Sequence, residues 1–268
     1  MKHFLLTRWN LPGSLHHSSL ELVSDPRWQA RRRELFERYC LPSVERQTAP
    51  DFTWLLVAFT KIMTQADLEW FRSQDDRLRI IAVEEPGSSG VPEAREAVTR
   101  LSAQDDWIIT TRLDSDDVLH RDHLRKVRVD YSGHRKVVEF KHGFYYDVMR
   151  DKLRHVEEMQ NAFVSVLEPA QGARTAWGWP HHKIGEENEI LYLDEPGWVA
   201  LVHDQNTTTY LWGDRVSRRR KRAVLREFEV ARPPYLDSRL RRLEAVRGRL
   251  TRRARRAAHS IQRRQGSR

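Results

Sequence analysis

The stretch from Trp107 to Asp117 constrains the fold most, because a predicted buried strand there leads directly into three carboxylates. Residues 107–113 are mostly apolar or β-branched, which is typical of a short buried β-strand. The acids at 114, 116 and 117 then follow within four positions. Neighbouring carboxylates repel one another, so this pattern favours a bound cation, and Mg²⁺ or Mn²⁺ suits such oxygen ligands. The alternative is an acidic helix start, in which Asp116 or Asp117 caps the next helix.

The sequence before this stretch alternates predicted strands with predicted helices. Strands are expected at 3–7, 52–59 and 78–83, and helices at 26–40, from 64 onward and at 92–103. The run at 52–59 is almost entirely apolar, as a central strand of a parallel sheet requires. The alternation predicts an α/β fold with a mixed, mainly parallel sheet and helices on both faces. After the acids, we expect a helix at 118–129 and then an antiparallel extension of the sheet.

The positive charge is concentrated at the end of the chain. The net charge is +9, yet residues 218–268 hold 19 of the 47 Lys/Arg and only 4 of the 38 Asp/Glu, so residues 1–217 are mildly acidic. We therefore predict two parts, a globular domain at 1–217 and a basic tail at 218–268. Cys40 is the single cysteine, which excludes an intramolecular disulfide and a cysteine-rich zinc site, and which fits a cytoplasmic protein.

Apolar residues recur in the tail at helical spacing, and arginines fill most of the opposite face. The apolar positions are Leu236, Leu240, Leu243, Val246, Leu250, Ala254, Ala257 and Ile261. This pattern is typical of a basic amphipathic helix on an anionic membrane surface, here the inner face of the cytoplasmic membrane. A partner-binding helix or a disordered end are the alternatives. A nucleic-acid arm is a further alternative, but it does not need so regular an apolar stripe.

Four blocks of sequence, taken in order, resemble a known family. They are Thr7-Arg8-Trp9-Asn10, residues 41–55, Thr111–Asp117 and Trp198–Asn206. Together they are similar to the rhamnosyltransferase family, whose members look like GT-A glycosyltransferases with a Rossmann-like sheet. The resemblance covers residues 3–210 and leaves out the tail. It implies transfer of a sugar, rhamnose among the candidates, from a dTDP- or UDP-linked donor to a glycan, lipid-linked or other envelope acceptor.

The resemblance also implies roles for individual residues. Mg²⁺ or Mn²⁺ would stabilise the departing diphosphate. The residues that match this role are Asp114 for metal or ribose, Asp116 as the main metal ligand and His203 to complete the metal site. The candidates for binding the nucleotide and its phosphates are Thr7, Arg8, Asn10 and Arg112. Ordinary structural roles compete with these. His203 could be held by a backbone carbonyl, and either arginine could pair with a nearby acid.

A catalytic base is expected between the acidic block and His203. An inverting enzyme needs a carboxylate or histidine to deprotonate the acceptor hydroxyl, and His182, Glu186 and Glu187 are the candidates in this polar segment. Each could instead be an exposed loop residue. Trp177 and Trp179 precede the segment, and burial in the core is favoured for them over stacking on a sugar.

One departure and one rival interpretation stand beside the resemblance. Many GT-A enzymes end their second strand in an aspartate that binds the nucleobase, whereas here Thr60 follows the strand and Asp67 is the next acid.

The rival interpretation is a phosphatase of the haloacid-dehalogenase type. In that class an apolar strand precedes a nucleophilic aspartate, here Asp114, and an acid/base aspartate, here Asp116. Such a motif normally lies near the start of its domain, unlike this one.

Overall fold

The computed structural model describes residues 1–13, 19–129, 133–206 and 210–231. Its strands are β1 (Lys2–Trp9), β2 (Thr53–Phe59), β3 (Leu78–Val83), β4 (Trp107–Arg112), β5 (Val118–Leu119), β6 (Lys136–Asp147), β7 (Lys152–Glu157), β8 (Ser165–Pro169), β9 (Ile190–Val202) and β10 (Asp214–Arg215). Its α-helices are α1 (Leu20–Ser24), α2 (Pro26–Leu35), α3 (Leu41–Glu45), α4 (Gln65–Gln74), α5 (Val91–Leu101), α6 (His123–Lys126), α7 (Ile184–Glu187) and α8 (Arg218–Glu227).

The sheet combines a parallel half and an antiparallel half, which confirms the predicted mixed α/β fold. The main path of the sheet runs β10-β7-β6-β8-β4-β1-β2-β3. Strands β4, β1, β2 and β3 are mutually parallel, whereas β8 joins β4 and β6 in antiparallel fashion. Strand β9 pairs with β6 in parallel and with β5 in antiparallel fashion. The parallel half therefore brings the carboxyl ends of β1 and β4 to one edge.

Each face of the parallel half is covered by helices. Side chains alternate across a strand, so Leu5 and Leu6 of β1 enter different cores. Leu5 packs with Trp54 and with Phe36, which lies in a π-helical turn at Phe36–Cys40 directly after α2. Leu6 packs instead with the apolar face of α5. These two cores hold the strand ends that carry the candidate site.

Strand β9 is fixed to β6 by two close approaches that only glycine permits. A Cβ on Gly143 would lie 2.2 Å from the ring of Trp198, and one on Gly197 would lie 2.1 Å from the ring of Phe140. The register between β6 and β9 also shifts in this region. The packing fixes the course of β9, which ends directly before His203.

The helix predicted at 118–129 is wrong for most of its length. Val118 and Leu119 form the short strand β5 opposite Val199 and Trp198, and only α6 is helical in that segment. Cross-strand pairing with β9 prevails here over the local helical pattern. This pairing brings the end of β9 beside the acidic block, which a helix at 118 would not do.

The first residues of the predicted tail pack on the domain. Helix α8 and the residues after it bury Val224, Leu225, Phe228 and Val230 in a core formed with β6, β9 and the end of α2. Fully burying such a side chain stabilises a fold by roughly 1.5–3 kcal/mol. The boundary at 217 stays a prediction, and the apolar positions 236–261 lie outside the described residues. No helix of the described ranges is both long and apolar enough to cross a membrane.

Candidate active site

The candidate site lies where the carboxyl ends of β1 and β4 meet. Leu6 of β1 pairs with Arg112 of β4, and the backbone N–H of Leu113 continues the ladder by donating to the carbonyl of Leu6 at 3.0 Å. Arg8 and Arg112 therefore leave the sheet at the same edge. The acids at 114, 116 and 117 follow in the loop after β4.

Arg8 and Arg112 form a positively charged cluster with a single carboxylate. Arg112 donates to both oxygens of Asp114, with a shortest distance of 3.1 Å. The guanidinium of Arg8 lies over the ring of Trp177, 4.4 Å from its centroid, and its buried Nε has no hydrogen-bond partner in the described structure. Burial and repulsion by Arg112 lower the pKa of Arg8 to about 10. The cluster therefore carries an uncompensated positive charge, which suits an anionic ligand.

His181 joins this cluster from the polar segment that precedes β9. Its Nδ1 lies 3.5 Å from Nη1 of Arg112. Burial and the neighbouring charge of Arg112 lower the pKa of His181 to about 4, so the ring is neutral at pH 7. A neutral imidazole adds no charge to the two guanidinium groups. The contact places the start of the segment with the base candidates beside the arginines.

Asp116 belongs to a second cluster that is closed and charge-balanced. Its Oδ2 accepts from Nη1 of Arg32 at 2.7 Å and lies 2.7 Å from Nε2 of His203. Arg32 also donates to the hydroxyl of Ser115 at 2.6 Å. Burial by itself would raise the pKa of Asp116, but attraction to Arg32 and the hydrogen bond to His203 outweigh it and lower the pKa. Asp116 is therefore an ionised carboxylate whose Oδ2 is shared by Arg32 and His203.

The tautomer of His203 follows from its neighbours. Its Nδ1 accepts the backbone N–H of Gln205 at 3.1 Å, so the ring proton resides on Nε2 and is donated to Asp116. Asp117 takes a structural role, because its Oδ1 accepts the backbone N–H of Leu201 at 2.9 Å. Burial and the nearby charges of Asp116 and Asp114 raise the pKa of Asp117 well above its usual value. The carboxylate links the acidic loop to β9, and it caps no helix.

The residues expected to hold a divalent cation do not fit that role as they are arranged. A cation would compete with groups that are already in place, because Asp114 pairs with Arg112 and Asp116 pairs with Arg32 and His203. Within the ranges that the structure describes, no three His, Cys, Asp or Glu side chains are grouped so that they could hold a metal. Metal dependence stays an expectation of the sequence.

Two of the expected nucleotide-binding residues serve the sheet instead. Thr7 is completely buried, and its hydroxyl accepts from Nε1 of Trp54 at 3.0 Å, so the side chain holds β1 to β2. Asn10 adopts the left-handed conformation with φ of 39°. Its side chain accepts the backbone N–H of Phe59 at 3.1 Å and donates to the carbonyl of the same residue. Of the candidates at 7, 8 and 10, Arg8 is therefore the one whose positive charge an anionic ligand could balance.

The base candidates lie in a 3-10 turn at His181–Lys183 and in α7. His182 and Glu186 are exposed. Glu187 accepts from Arg174 at 2.8 Å and from Nε1 of Trp179 at 3.0 Å, and these hydrogen bonds lower its pKa. Trp179 is buried, as expected.

Trp177 is buried too, and its ring also contacts Arg8, a contact that the sequence does not predict. Arg32 and His181 are likewise missing from the sequence-based set. Arg32 is one of three consecutive arginines on α2, and such a run usually marks a solvated helix face. Asp67, an alternative for the nucleobase, is used in a capping box with Thr64 at the start of α4.

Comparison with known proteins finds one matching family and several solved structures that are distantly similar. S. aureus TarS is 13% identical over 75% of this chain and 37% of its own, with a TM-score of 0.43. The 1–349 fragment of S. aureus TarS in complex with UDP-GlcNAc is 12% identical over 77% of this chain and 60% of its own, with a TM-score of 0.43. A putative nucleotide-diphospho-sugar transferase from Desulfovibrio desulfuricans G20 is 10% identical over 73% and 80% of the two chains, with a TM-score of 0.35.

This chain thus spans less than two thirds of the length of the TarS chains. No protein with a curated function matches the sequence. Residues 2–215 match the family described as "Putative rhamnosyl transferase", which is most of the chain and includes both arginine clusters. The protein belongs to this family.

Proposed function

We propose that the protein is a GT-A-type glycosyltransferase that moves a sugar, rhamnose in the first instance, from a nucleoside-diphosphate donor to an acceptor hydroxyl. The family match supports the reaction class. The observation that carries the proposal within the site is the pair Arg8 and Arg112, two buried or half-buried guanidinium groups that share one carboxylate at the carboxyl edge of a parallel sheet. Such an edge is where open α/β sheets bind nucleotides.

The chemistry requires stabilisation of the departing nucleotide. As the bond between the sugar and the diphosphate breaks, negative charge grows on the terminal phosphate. Preorganised donors that meet this charge act in a partly dry site, where they are worth more than in water, and removal of one such donor typically costs about 10²–10³ in kcat. Arg8 and Arg112 are the proposed donors. The ring of Trp177 positions Arg8, and Asp114 positions Arg112.

For the base that deprotonates the acceptor, we propose Glu186 ahead of Glu187 and His182. The hydrogen bonds from Trp179 and Arg174 lower the pKa of Glu187 and make it the weaker base. Glu186 and Glu187 are adjacent in α7, which gives a matched pair of variants. Glu186→Gln should lower kcat by about 10²–10⁴, the usual contribution of general base catalysis, and leave donor affinity unchanged. Glu187→Gln should change kcat much less, and the reverse order would transfer the role to Glu187.

The donor can be identified by thermal denaturation with a panel of dTDP- and UDP-linked sugars, each with and without Mn²⁺. A donor at a hundred times its Kd stabilises the folded chain by about 2.7 kcal/mol, which gives a clear shift in Tm. UDP derivatives come first because two TarS structures contain UDP and UDP-GlcNAc. The largest shift should come from a rhamnose donor. Absence of a shift with every nucleoside diphosphate would contradict the proposed function.

The phosphatase interpretation is not favoured. It would require Asp114 to attack phosphorus, yet Asp114 is bound to Arg112 and the proposed acid/base Asp116 is held by Arg32 and His203. A simple assay separates the two reactions. Hydrolysis of a generic phosphate ester in the absence of any nucleotide sugar, abolished by Asp114→Asn, would support the phosphatase instead.

For the acceptor, we propose a glycan or lipid-linked molecule at the inner face of the cytoplasmic membrane. A groove of about 820 Å³ beside α8 supports a membrane surface, because seven basic side chains and one acid line it. The basic residues are Arg150, Lys152, Arg154, Arg215, Arg218, Lys221 and Arg222. Anionic headgroups attract such clusters by about 1 kcal/mol per basic residue near the surface.

Co-sedimentation with vesicles tests this surface. The full chain should pellet with phosphatidylglycerol vesicles in low salt and not with phosphatidylcholine vesicles. The double variant Arg154→Glu, Arg215→Glu should pellet much less. Equal pelleting of both proteins would assign binding to other residues, and retention of nucleic acid instead of vesicles would favour the nucleic-acid alternative.

A further inference from the structure

Both acids of the Asp-x-Asp pattern already have a cation, and in each case the cation is a guanidinium group. Arg112 binds Asp114, and Arg32 binds Asp116. The two arginines come from separate elements, β4 and α2, so the two ion pairs form independently of each other. Each carboxylate thus meets its requirement for positive charge without an ion from solution.

Arg32 and His203 both contact Oδ2 of Asp116, so a cation at this oxygen would compete with both. The two terminal nitrogens of Arg32 bind Asp116 and Ser115 as a fork, at 2.7 and 2.6 Å. His203 cannot replace a missing ligand, because Nδ1 accepts a backbone N–H and Nε2 donates to Asp116. A metal ion at Oδ2 of Asp116 would have to displace Arg32, and a metal ion at His203 would have to remove the Nε2 proton. Displacement would leave a buried arginine without its partner.

The remaining positive charge lies in the other cluster, where a diphosphate would need it. Arg8 and Arg112 face one carboxylate, and the Nε of Arg8 has no partner among the described residues. An arginine presents its N–H groups in a planar fork that matches phosphate oxygens. This pair can therefore supply the charge that a divalent cation supplies in other nucleotide-sugar enzymes.

We infer that the donor site works without a divalent cation, with Arg8 and Arg112 binding the diphosphate and Arg32 closing the position at Asp116 and His203. The inference rests on the proposed glycosyl transfer. In that step the bond between the anomeric carbon and the phosphate oxygen breaks, and its electron pair stays on the oxygen. The acceptor oxygen forms the new bond to carbon, and its proton passes to the base in α7. Arg8 and Arg112 donate N–H groups to the departing phosphate.

Calorimetric titration of UDP into the full chain tests the inference without any turnover. We expect the same Kd in EDTA and in Mn²⁺. Binding that is measurable only with Mn²⁺ would overturn the inference and leave the proposed function intact. Absence of binding by UDP and by dTDP in both buffers would contradict the proposed function, and the inference with it.

Variants at the two arginines locate the effect. Arg8→Met keeps the length of the side chain and should weaken UDP binding in EDTA by about tenfold or more, since a charge-assisted hydrogen bond is lost. The matched control is Arg27→Met, an exposed arginine at the start of α2, which should leave the Kd unchanged. Equal affinities for all three proteins would remove Arg8 from the site.

Titration of Mn²⁺ alone, followed by electron paramagnetic resonance, tests the role of Arg32. The wild-type chain should show no bound Mn²⁺ that is lost in Asp116→Asn. Arg32→Met frees Asp116 from its guanidinium partner and should bind Mn²⁺. Tight binding of Mn²⁺ to the wild type through Asp116 would overturn the inference. The wild-type titration decides this point even if Arg32→Met does not fold.

Discussion

Both arginine clusters pair an arginine with an aspartate of the acidic block, and they differ in their balance of charge. Arg32, Asp116 and His203 form a cluster whose charges are balanced and in which both ring nitrogens of His203 have partners. Arg8, Arg112 and Asp114 form one with an excess of positive charge and an unpaired Nε. The first cluster can contribute to rigidity and has no excess positive charge for an anionic ligand. The second cluster keeps an excess of positive charge, which is why we propose it as the site of the diphosphate.

Loss of Asp116 should have the largest effect on folding. Asp116→Ala would leave Arg32 buried without its partner, and breaking such a pair typically costs about 3–5 kcal/mol. Urea denaturation monitored by circular dichroism measures the change. The matched variant Asp114→Ala removes a carboxylate that is one third exposed, so water can partly take its place beside Arg112 and the cost should be smaller. Similar losses for the two variants would mean that the clusters do not differ as described.

An intermediate effect is expected at Arg112, on activity. Arg112→Lys retains the charge but loses the planar fork that holds Asp114 and would meet phosphate. The kcat/KM for the nucleotide sugar should fall by about 10²-fold, in the range seen when one preorganised donor is lost. The free energy of unfolding should hardly change. A large loss of stability with unchanged kcat/KM would show that Arg112 stabilises the fold and does not act on the donor.

The smallest effect concerns the dependence of stability on pH. Burial and Arg112 lower the pKa of His181 to about 4 from its usual 6.5, so the folded chain binds fewer protons than the unfolded chain between these values. Stability is therefore lost as the pH falls from 6.5 towards 4. Asp116 has a lowered pKa, so its contribution is present above its usual 3.8 and is lost only at lower pH.

Replacement of His181 separates the loss of stability between pH 6.5 and 4 from the loss at lower pH. In His181→Gln the decline of the unfolding free energy between pH 6.5 and 4 should be shallower than in the wild type. The buried His3 and His123 also have lowered pKa values, so part of the slope should remain. An unchanged slope would show that His181 is not held against Arg112 in solution.

The parallel half of the sheet was predictable because its signals are local. The apolar run at 52–59 became β2, and the predicted strand at 78–83 became β3 with the same bounds. The antiparallel extension was also foreseen. The helix predicted at 118–129 failed, because the partners of Val118 and Leu119 lie some eighty residues later in β9 and no local pattern reveals them.

For the candidate site, the sequence predicted that these side chains lie near one another, but it did not predict all of their pairing partners. The sequence identifies Arg8, Arg112, Asp114, Asp116 and His203 as one neighbourhood, and the structure brings Asp116 to His203. The partner of Asp116 on α2 could not be foreseen, since Arg32 is 84 residues away and lies in a run that reads as solvent-facing. The pairing of Arg112 with Asp114 was one of the alternatives that the sequence offered, whereas the pairing of Arg32 with Asp116 becomes visible only in three dimensions.

The packing of α8 has a practical consequence for the preparation of shortened proteins. Charge suggests cutting at 217, but Phe228 is completely buried and Val230 nearly so. A protein ending at 217 would uncover the apolar surface that these side chains protect, and it should aggregate. A shortened protein meant for crystallisation should therefore keep the chain through Ala231, the last described residue.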